Sequence, residues 1–579
     1  MRRIICSSVR KPACHLLVDT QRYDIRSILM YTYCCINRSA VHSIFSIILA
    51  VKGNGVDRTP GPQWPPTKGE IWPKPQHEIK QSTYYNFDPA LFSIKVKDNK
   101  TCDILTQAIQ RYSYAFDSFN NIINHGETKT RIKRLDIVYV AADSNSSLGV
   151  IRQLEIDLKG PCEDYPYFGM DESYNLTVSE NSELRCVSIW GALRGLESFS
   201  QLFYFSDNYD EIRVNSTEIV DYPQYVHRGL LIDTSRHYIA LRNILLTLDA
   251  MEMNKMNLLH WHIVDDESFP YQSEKFPELS NRGAFHPSMI YTKNNVKEVI
   301  EYARVRGIRV LPEFDMPGHT QSWGLAYPQI LTQCYEDGKF SGLGPMNPIY
   351  NATYKIIREL FQEIQEVFPD KYIHIGGDEV EMECWATNPD LLEYMKDNNL
   401  TSINQLHALF MERAIPLLGG KSKPIVWQEV YDEGVLLSGD TLVQVWKWNW
   451  VEEMKRILSG GHQVLFSSSW YLDALSSGGD WLNFYKSDPR DMVQNATLAK
   501  GIVGGEACMW GEVVDDANII SRVWPRTSAV AERLWSPPLG DCFYETLNLA
   551  RHRIEEHTCR MIRRGIHAQP PNGPGFCFT

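Results

Sequence analysis

Short apolar runs separated by amphipathic stretches dominate the chain from residue 226 onward. The runs are 229–232 (GLLI), 257–264 (NLLHWHIV), 308–314 (IRVLPEF), 372–375 (YIHI), 424–427 (PIVW), 441–446 (TLVQVW), 464–466 (VLF) and 502–505 (IVGG). Runs of this length, apolar on both faces, fit strands of a parallel sheet covered on each side. Between several of them, residues 240–254, 294–306, 352–367 and 402–417 repeat apolar positions at helical spacing. Eight strands alternating with helices over roughly 350 residues predict a (β/α)₈ barrel of α/β class. A doubly wound open sheet is the competing arrangement, but the chain carries no Gly-rich dinucleotide fingerprint to support it.

Upstream the rhythm is different. Residues 92–96 (FSIKV) alternate like a strand, 103–119 carry a helical apolar stripe, and 134–140 (RLDIVYV) and 174–178 (YNLTV) read as strands. A further helix is predicted over 190–203. This is a small α+β domain with no catalytic constellation of its own. The expected division is an N-terminal extension with a signal-like segment over 1–52, a Gly/Pro-rich linker over 53–70, the α+β domain over 71–222 and the barrel over 223–579.

Composition narrows the setting. Hydrophobic residues at 43% and charged residues at 22% leave ample material for large cores, and the net charge of −13 argues against a nucleic-acid groove. There are thirteen cysteines, and Asn-x-Ser/Thr sequons stand at Asn37, Asn99, Asn145, Asn175, Asn215, Asn351, Asn399 and Asn495. Together they point to the secretory pathway. The run 44–51 (IFSIILAV) is too short for a bilayer span, which needs about 20 residues, but suits a signal-peptide core. It would be placed conventionally if translation began at Met30; a signal-anchor or a disordered tail are the other readings. No other segment is a membrane-span candidate.

In such a barrel the chemistry lies where strands end. Those ends present Asp233, Arg236, His260, His262, Asp265, Asp266, Glu313, Asp315, His319, Asp378, Glu379, Glu429, Asp473, Glu506 and Glu512. They also present Trp427, Trp446, Trp510 and Tyr471. Acids can protonate a leaving oxygen and stabilise a cationic sugar centre, while indoles offer flat walls to a pyranose ring. The pair Asp378-Glu379 follows an apolar strand and Gly376-Gly377, whose backbone freedom can turn both carboxyls toward one cavity. Nearby carboxyls split their pKa values, leaving one as an acid. A dipeptide of this kind is otherwise commonly solvated surface. The His260-x-His262 pair, with Asp265, His319 and Asp378, equally admits a barrel metallohydrolase, or histidines that serve only as hydrogen-bonded barrel residues.

The strings HRGLLIDTSRHY (227–238), NLLHWHIVDDESFPYQS (257–273), GIRVLPEFDMPGHTQSWG (307–324) and HIGGDEVEMECW (374–385) resemble family 20 glycoside hydrolases, specifically the lysosomal β-N-acetylhexosaminidases of animals. VWQEV (426–430), SWYLD (469–473), GGEACMWGE (504–512) and WPRTSAVAERLWS (524–536) extend the resemblance, which is dense in the barrel and looser before it. It implies exo-acting, retaining hydrolysis in which the substrate's own acetamido oxygen is the nucleophile. It casts Glu379 as general acid and base, Asp378 with Tyr471 as the groups that orient the acetamide, and Asp265 with His319 as a relay behind Glu379. Arg236, Glu512 and Asp473 would hold sugar hydroxyls, and Trp427, Trp446 and Trp510 would wall the pocket. No metal or other cofactor is implied, which demotes the histidine-pair reading. An inactive glycan-binding relative would need to lack Glu379, Asp378 or Tyr471, and all three are present.

The resemblance also implies a beta-type chain. Alpha-type subunits carry Asn-Arg where Asp473-Ala474 stands, and 334–345 lacks the loop they use with a ganglioside activator protein. Neutral GlcNAc- and GalNAc-terminated glycans, a homodimer, and a lysosomal or secreted location are therefore expected, without activator binding. The implied disulfides are Cys102–Cys162, Cys334–Cys384 and Cys559–Cys577. Cys508 and Cys542 are expected free and buried, and Cys186 has no assigned partner.

Overall fold

The computed structural model describes residues 64–65, 67–124, 146–206, 211–474, 479–540 and 543–577. The expected strand over 134–140, the signal-like segment, Cys542 and the sequons at Asn37 and Asn145 lie outside them. Eight parallel strands close into a barrel: β1 (His227–Asp233), β2 (Leu258–Val264), β3 (Arg309–Phe314), β4 (Tyr372–His374), β5 (Lys423–Trp427), β6 (Leu442–Val445), β7 (Gln463–Phe466) and β8 (Ile502–Met509). Each pairs with the next, and β8 returns to β1. Helices Leu241–Met253, Lys293–Arg304, Asn351–Val367 and Asn404–Ala414 lie close to their expected positions. No described helix is long and apolar enough to cross a membrane.

Strand alternation sorts the side chains. Trp261, Ile263, Val310, Ile373, Val426, Val443 and Phe466 point outward into the main core under the helices. The opposite parity fills the barrel in layers. The lowest is apolar: Leu258, Leu311, Tyr372, Ile425, Leu442, Leu465 and Val503. Each aliphatic side chain buried there contributes on the order of 1.5–3 kcal/mol. The next layer is polar and wholly buried, with His260, Glu313, His374, Gln444 and Glu506. Above it Leu231, Trp427 and Cys508 pack with Trp446, Tyr471 and Trp510.

The preceding region is a mixed eight-stranded sheet, larger than the pattern predicted. The strand Tyr174–Val178 and the helices Asp103–Asn124 and Ile189–Gln201 match their predictions closely. The strands His77–Phe87, Gln153–Leu158, Asn181–Cys186 and Ile212–Asp221 were missed. Their polar alternate positions face solvent, so no continuous apolar run marks them. The helices cover the other face around Phe87, Phe116, Phe199 and Phe203.

Residues 67–70, expected as the end of a linker, are held by the last helix, Phe543–Arg563. Glu556 accepts from Gly69 N at 2.8 Å and from the Thr67 hydroxyl, and Arg560 donates to the Glu70 carbonyl at 3.2 Å. Arg553 donates to Ile71 O at 3.0 Å. Disulfides join Cys102 to Cys162, Cys334 to Cys384 and Cys559 to Cys577. Cys186 and Cys508 are free and buried.

Candidate active site

At the C-terminal ends of the strands a cavity of about 160 Å³ is lined by Arg236, His262, Asp265, Asp315, His319, Asp378, Glu379, Trp446, Tyr471, Asp473, Trp510 and Glu512. Ten of the eleven catalytic and substrate-binding candidates named from sequence meet here. Trp427 does not. It is buried beneath the cavity, donating its indole N–H to Glu313 at 2.8 Å and packing under Trp510 at 6.0 Å. Its ring packs against both Trp446 and Trp510, which do line the cavity. Two acids assigned to the rim, Glu313 and Glu506, also lie a layer lower, because strand alternation aims them into the barrel.

Backbone shape brings the acid pair to one cavity. After β4, Gly376 and Gly377 adopt φ of 65° and 101°. A Cβ on Gly376 would stand 1.6 Å from Asp315 Oδ1, so only glycine fits. Glu379 itself has φ of 46°, a left-handed conformation uncommon outside glycine. The outcome is asymmetric: the Asp378 side chain is 9% exposed and that of Glu379 is 58% exposed.

His319 faces both acids, with Nε2 at 3.7 Å from Asp378 Oδ2 and 3.8 Å from Glu379 Oε2. Its Nδ1 lies 3.0 Å from Asp265 Oδ1. Burial opposes its charge, but Asp378 and the Asp265 contact outweigh that and push its pKa up to about 9. Asp265 is held well below the carboxylate range: burial raises it, and the bonds from His262 and His319 more than reverse that. Arg236 reaches Asp265 at 2.7 Å and is itself fixed by Asp233 at 3.0 Å. Asp233 also accepts from Gly511 N, tying β1 to the end of β8. Tyr471 stacks against Trp446 at 6.1 Å, and bonds from Leu472 N to Cys508 O and from Cys508 N to Trp470 O hold its loop to β8.

Asp315 is buried behind Asp378, where desolvation and then the charges of Asp378 and Glu313 drive its pKa well up. That favours its neutral form, and its Oδ1 accepts from Gly377 N at 2.9 Å. Glu429, desolvated and close to the charge of Asp378, is pushed up to about 7 despite Lys447 at 2.7 Å. Neither shift is legible in the local sequence, because both arise from burial and from the charge of Asp378, far away along the chain.

Beneath the cavity the polar layer continues the chain of contacts. His262 bonds Asp265 at 2.7 Å with one ring nitrogen and Glu313 at 2.6 Å with the other. Glu313 faces His260 at 3.0 Å and His374 at 2.9 Å. Glu506 joins His260 at 2.7 Å and His227 at 2.6 Å. Two ionised carboxylates can be satisfied by one ring only if both nitrogens carry protons, so His262 is an imidazolium. The nitrogens of His260 and His262 face three carboxylates, meeting only at Glu313. His260, Glu313 and His374 bring ligand atoms within 4.8 Å of one another, but the pairing of His260 with Glu313 and Glu506 already fills its nitrogens, which disfavours the histidine-pair metal reading. Asp315, His319 and Asp378 also bring ligand atoms within 4.8 Å of one another. With the Asp315 pKa driven well up and that of His319 raised to about 9, that group suits hydrogen bonding better than a metal. The parity of Leu258, His260 and His262 on one strand was the signal that could have revealed the buried layer.

Residues 225–538 match the family model for the glycosyl hydrolase family 20 catalytic domain, and residues 71–202 match a beta-acetyl hexosaminidase-like domain. The chain is 42% identical over 546 residues to the human beta-hexosaminidase subunit beta, covering 92% of this chain and 93% of that one. It is 41% identical over 527 residues to the mouse subunit alpha, covering 88% and 94%. Among solved structures, a Flavobacterium johnsoniae chitobiase superposes with a TM-score of 0.71 at 27% identity, covering 86% of this chain and 73% of that one. The Streptomyces plicatus N-acetyl-beta-hexosaminidase, at 22% identity and a TM-score of 0.64, covers 89% and 99% and shares the fold. The chain belongs to glycosyl hydrolase family 20.

Proposed function

We propose that the chain is an exo-acting, retaining β-N-acetylhexosaminidase that removes terminal GlcNAc or GalNAc from the non-reducing ends of glycans. The hydrolase class and terminal GlcNAc follow from family membership and from hexosaminidase relatives matched over most of the chain. The observation that carries the mechanism is the asymmetry of the acid pair: Glu379 stands open at the mouth while Asp378 is buried beside His319. In the first step Glu379 gives its proton to the glycosidic oxygen as the substrate's acetamido oxygen attacks C1. The C1–O bond to the leaving sugar breaks, and an oxazolinium ring forms. Asp378 accepts from the acetamido N–H and, with the Tyr471 hydroxyl, steadies the positive charge. Glu379 then takes a proton from water as that water opens the ring at C1. Two inversions give net retention.

The remaining lining residues suit substrate binding. Arg236 and Glu512 are placed to hold ring hydroxyls, Asp473 the exocyclic hydroxyl, and Trp446 and Trp510 the sugar face. A small cavity suits one terminal sugar rather than a chain running through. Asp473-Ala474 supports neutral substrates; 42% and 41% identity to beta and alpha subunits do not separate the two types. A homodimer, no role for a ganglioside activator protein, and a lysosomal or secreted location accompany this beta-type reading.

Chromogenic β-GlcNAc, β-GalNAc and 6-sulfated β-GlcNAc, assayed with Glu379→Gln, test it. Hydrolysis of the neutral pair, abolished in the variant, is expected. Undiminished turnover by Glu379→Gln would overturn the acid/base assignment, and strong sulfated-substrate activity the beta-type reading.

A further inference from the structure

The N-terminal sheet turns its other face to solvent, with Lys95, Arg185 and Glu218 exposed on it among uncharged polar positions and the isolated Ile79. One corner differs. Val187, Val220 and Tyr222 are 59%, 48% and 45% exposed and lie at the ends of neighbouring strands. Asn175 sits among them, paired across the sheet with Arg185 on one side and Val220 on the other. In its strand Tyr174, Leu176 and Val178 are buried, while Asn175 and Thr177 are exposed. A concavity of about 280 Å³ opens beside Asn175, lined by the three apolar side chains together with Lys159 and Arg185.

Asn175-Leu-Thr177 is an acceptor sequon with both its functional residues on the accessible face. The sequon at Asn215 differs, since that side-chain amide already donates to the Gln81 carbonyl at 2.7 Å. An apolar corner within a polar face usually has something that covers it. Three side chains are far too few for a stable protein interface, which needs about 800 Å² per partner. They suit the apolar face of a single pyranose ring, whose hydroxyls Lys159 and Arg185 can meet.

We propose that an N-linked glycan on Asn175 covers this corner, its first GlcNAc lying in the concavity against Val187, Val220 and Tyr222. The inference rests on the secretory location included in the proposed function. Attachment joins Asn175 Nδ2 to the anomeric carbon of a polyisoprenyl-diphosphate-linked oligosaccharide. The carbon–oxygen bond to the diphosphate breaks, and the amide gives up one proton as the lipid diphosphate leaves.

The test uses the full chain secreted from a eukaryotic host, with glycopeptide mapping of Asn175 and a Thr177→Ala variant that keeps the asparagine. Occupancy of Asn175 is expected in the unsubstituted chain. Loss of one glycan mass, brighter apolar-dye fluorescence and association beyond the state of the unsubstituted chain in sedimentation are expected for Thr177→Ala. Adding Val220→Thr should reverse the last two. Turnover of chromogenic β-GlcNAc should be equal in all forms, so a failure of the hydrolase reading would be visible separately. An unmodified Asn175 overturns the proposal. So does a Thr177→Ala variant with unchanged dye binding and sedimentation, and so does self-association of the unsubstituted chain through this face.

Discussion

Two adjoining layers of the barrel use the same side chains for opposite ends. At the mouth, Glu379 is 58% exposed and stands 3.8 Å from His319. One layer down, Glu313 is wholly buried and receives His262, His374 and Trp427 at 2.6, 2.9 and 2.8 Å. Burial alone would raise the Glu313 pKa, but the charges of the surrounding histidines reverse that and hold it well down. A carboxyl so encircled keeps its charge and its place. A carboxyl at a wet rim, with loose contacts, can gain and lose a proton within one turnover. On the role proposed for Glu379, what separates an anchor from a catalyst here is the number of donors around it, not its chemical type.

The sharpest break in that contrast would come from exchanging each glutamate for glutamine. Glu379→Gln should lower kcat on chromogenic β-GlcNAc by about 10²–10⁴-fold with urea unfolding unchanged. Glu313→Gln should do the reverse first, costing about 3–5 kcal/mol in unfolding free energy because its histidines lose their counter-charge. If Glu313→Gln unfolds like the unsubstituted chain, the anchor role is wrong. Asp378→Asn, at the boundary between the layers, should lower kcat by about 10²–10³-fold. Arg236→Lys keeps the charge but loses the fork that reaches Asp233 and Asp265, and KM should rise by about 10–100-fold. The smallest effect concerns pH. His260, held up by Glu506 and Glu313 against burial, and His319 both have pKa values raised to about 9. Groups raised on folding add stability that is complete below the ordinary value of 6.5 and is lost as pH rises through 9. Thermal unfolding from pH 6 to pH 10 should show that decline, reduced in His319→Gln.

The barrel is readable because its outward positions and its lowest inward layer are both apolar, and the resulting runs mark all eight strands. The rim residues followed, since strand ends are where the fold displays them. Two kinds of feature stayed hidden. The sheet strands His77–Phe87 and Ile212–Asp221 alternate with polar residues and give no run to find. The depth of Glu313, Glu506 and Trp427 depends on strand parity across the closed barrel, which local pattern does not reveal. The raised pKa of Asp315 depends on burial and on Asp378 and Glu313 converging from separate strands.

The clasp between residues 67–71 and the helix Phe543–Arg563 bears on the order of events during synthesis. A chain emerging from the ribosome folds from its N-terminal side first. Here residues 68–72 meet Lys80 and Gln201 early, but their bonds to Arg553, Glu556 and Arg560 must wait until the last helix has been translated. The first domain therefore lacks this part of its contacts until the barrel has been made. A stop codon late in the message, sparing every residue that lines the cavity, would still be felt at Ile71 and Trp72, which makes the last helix a checkpoint on complete translation.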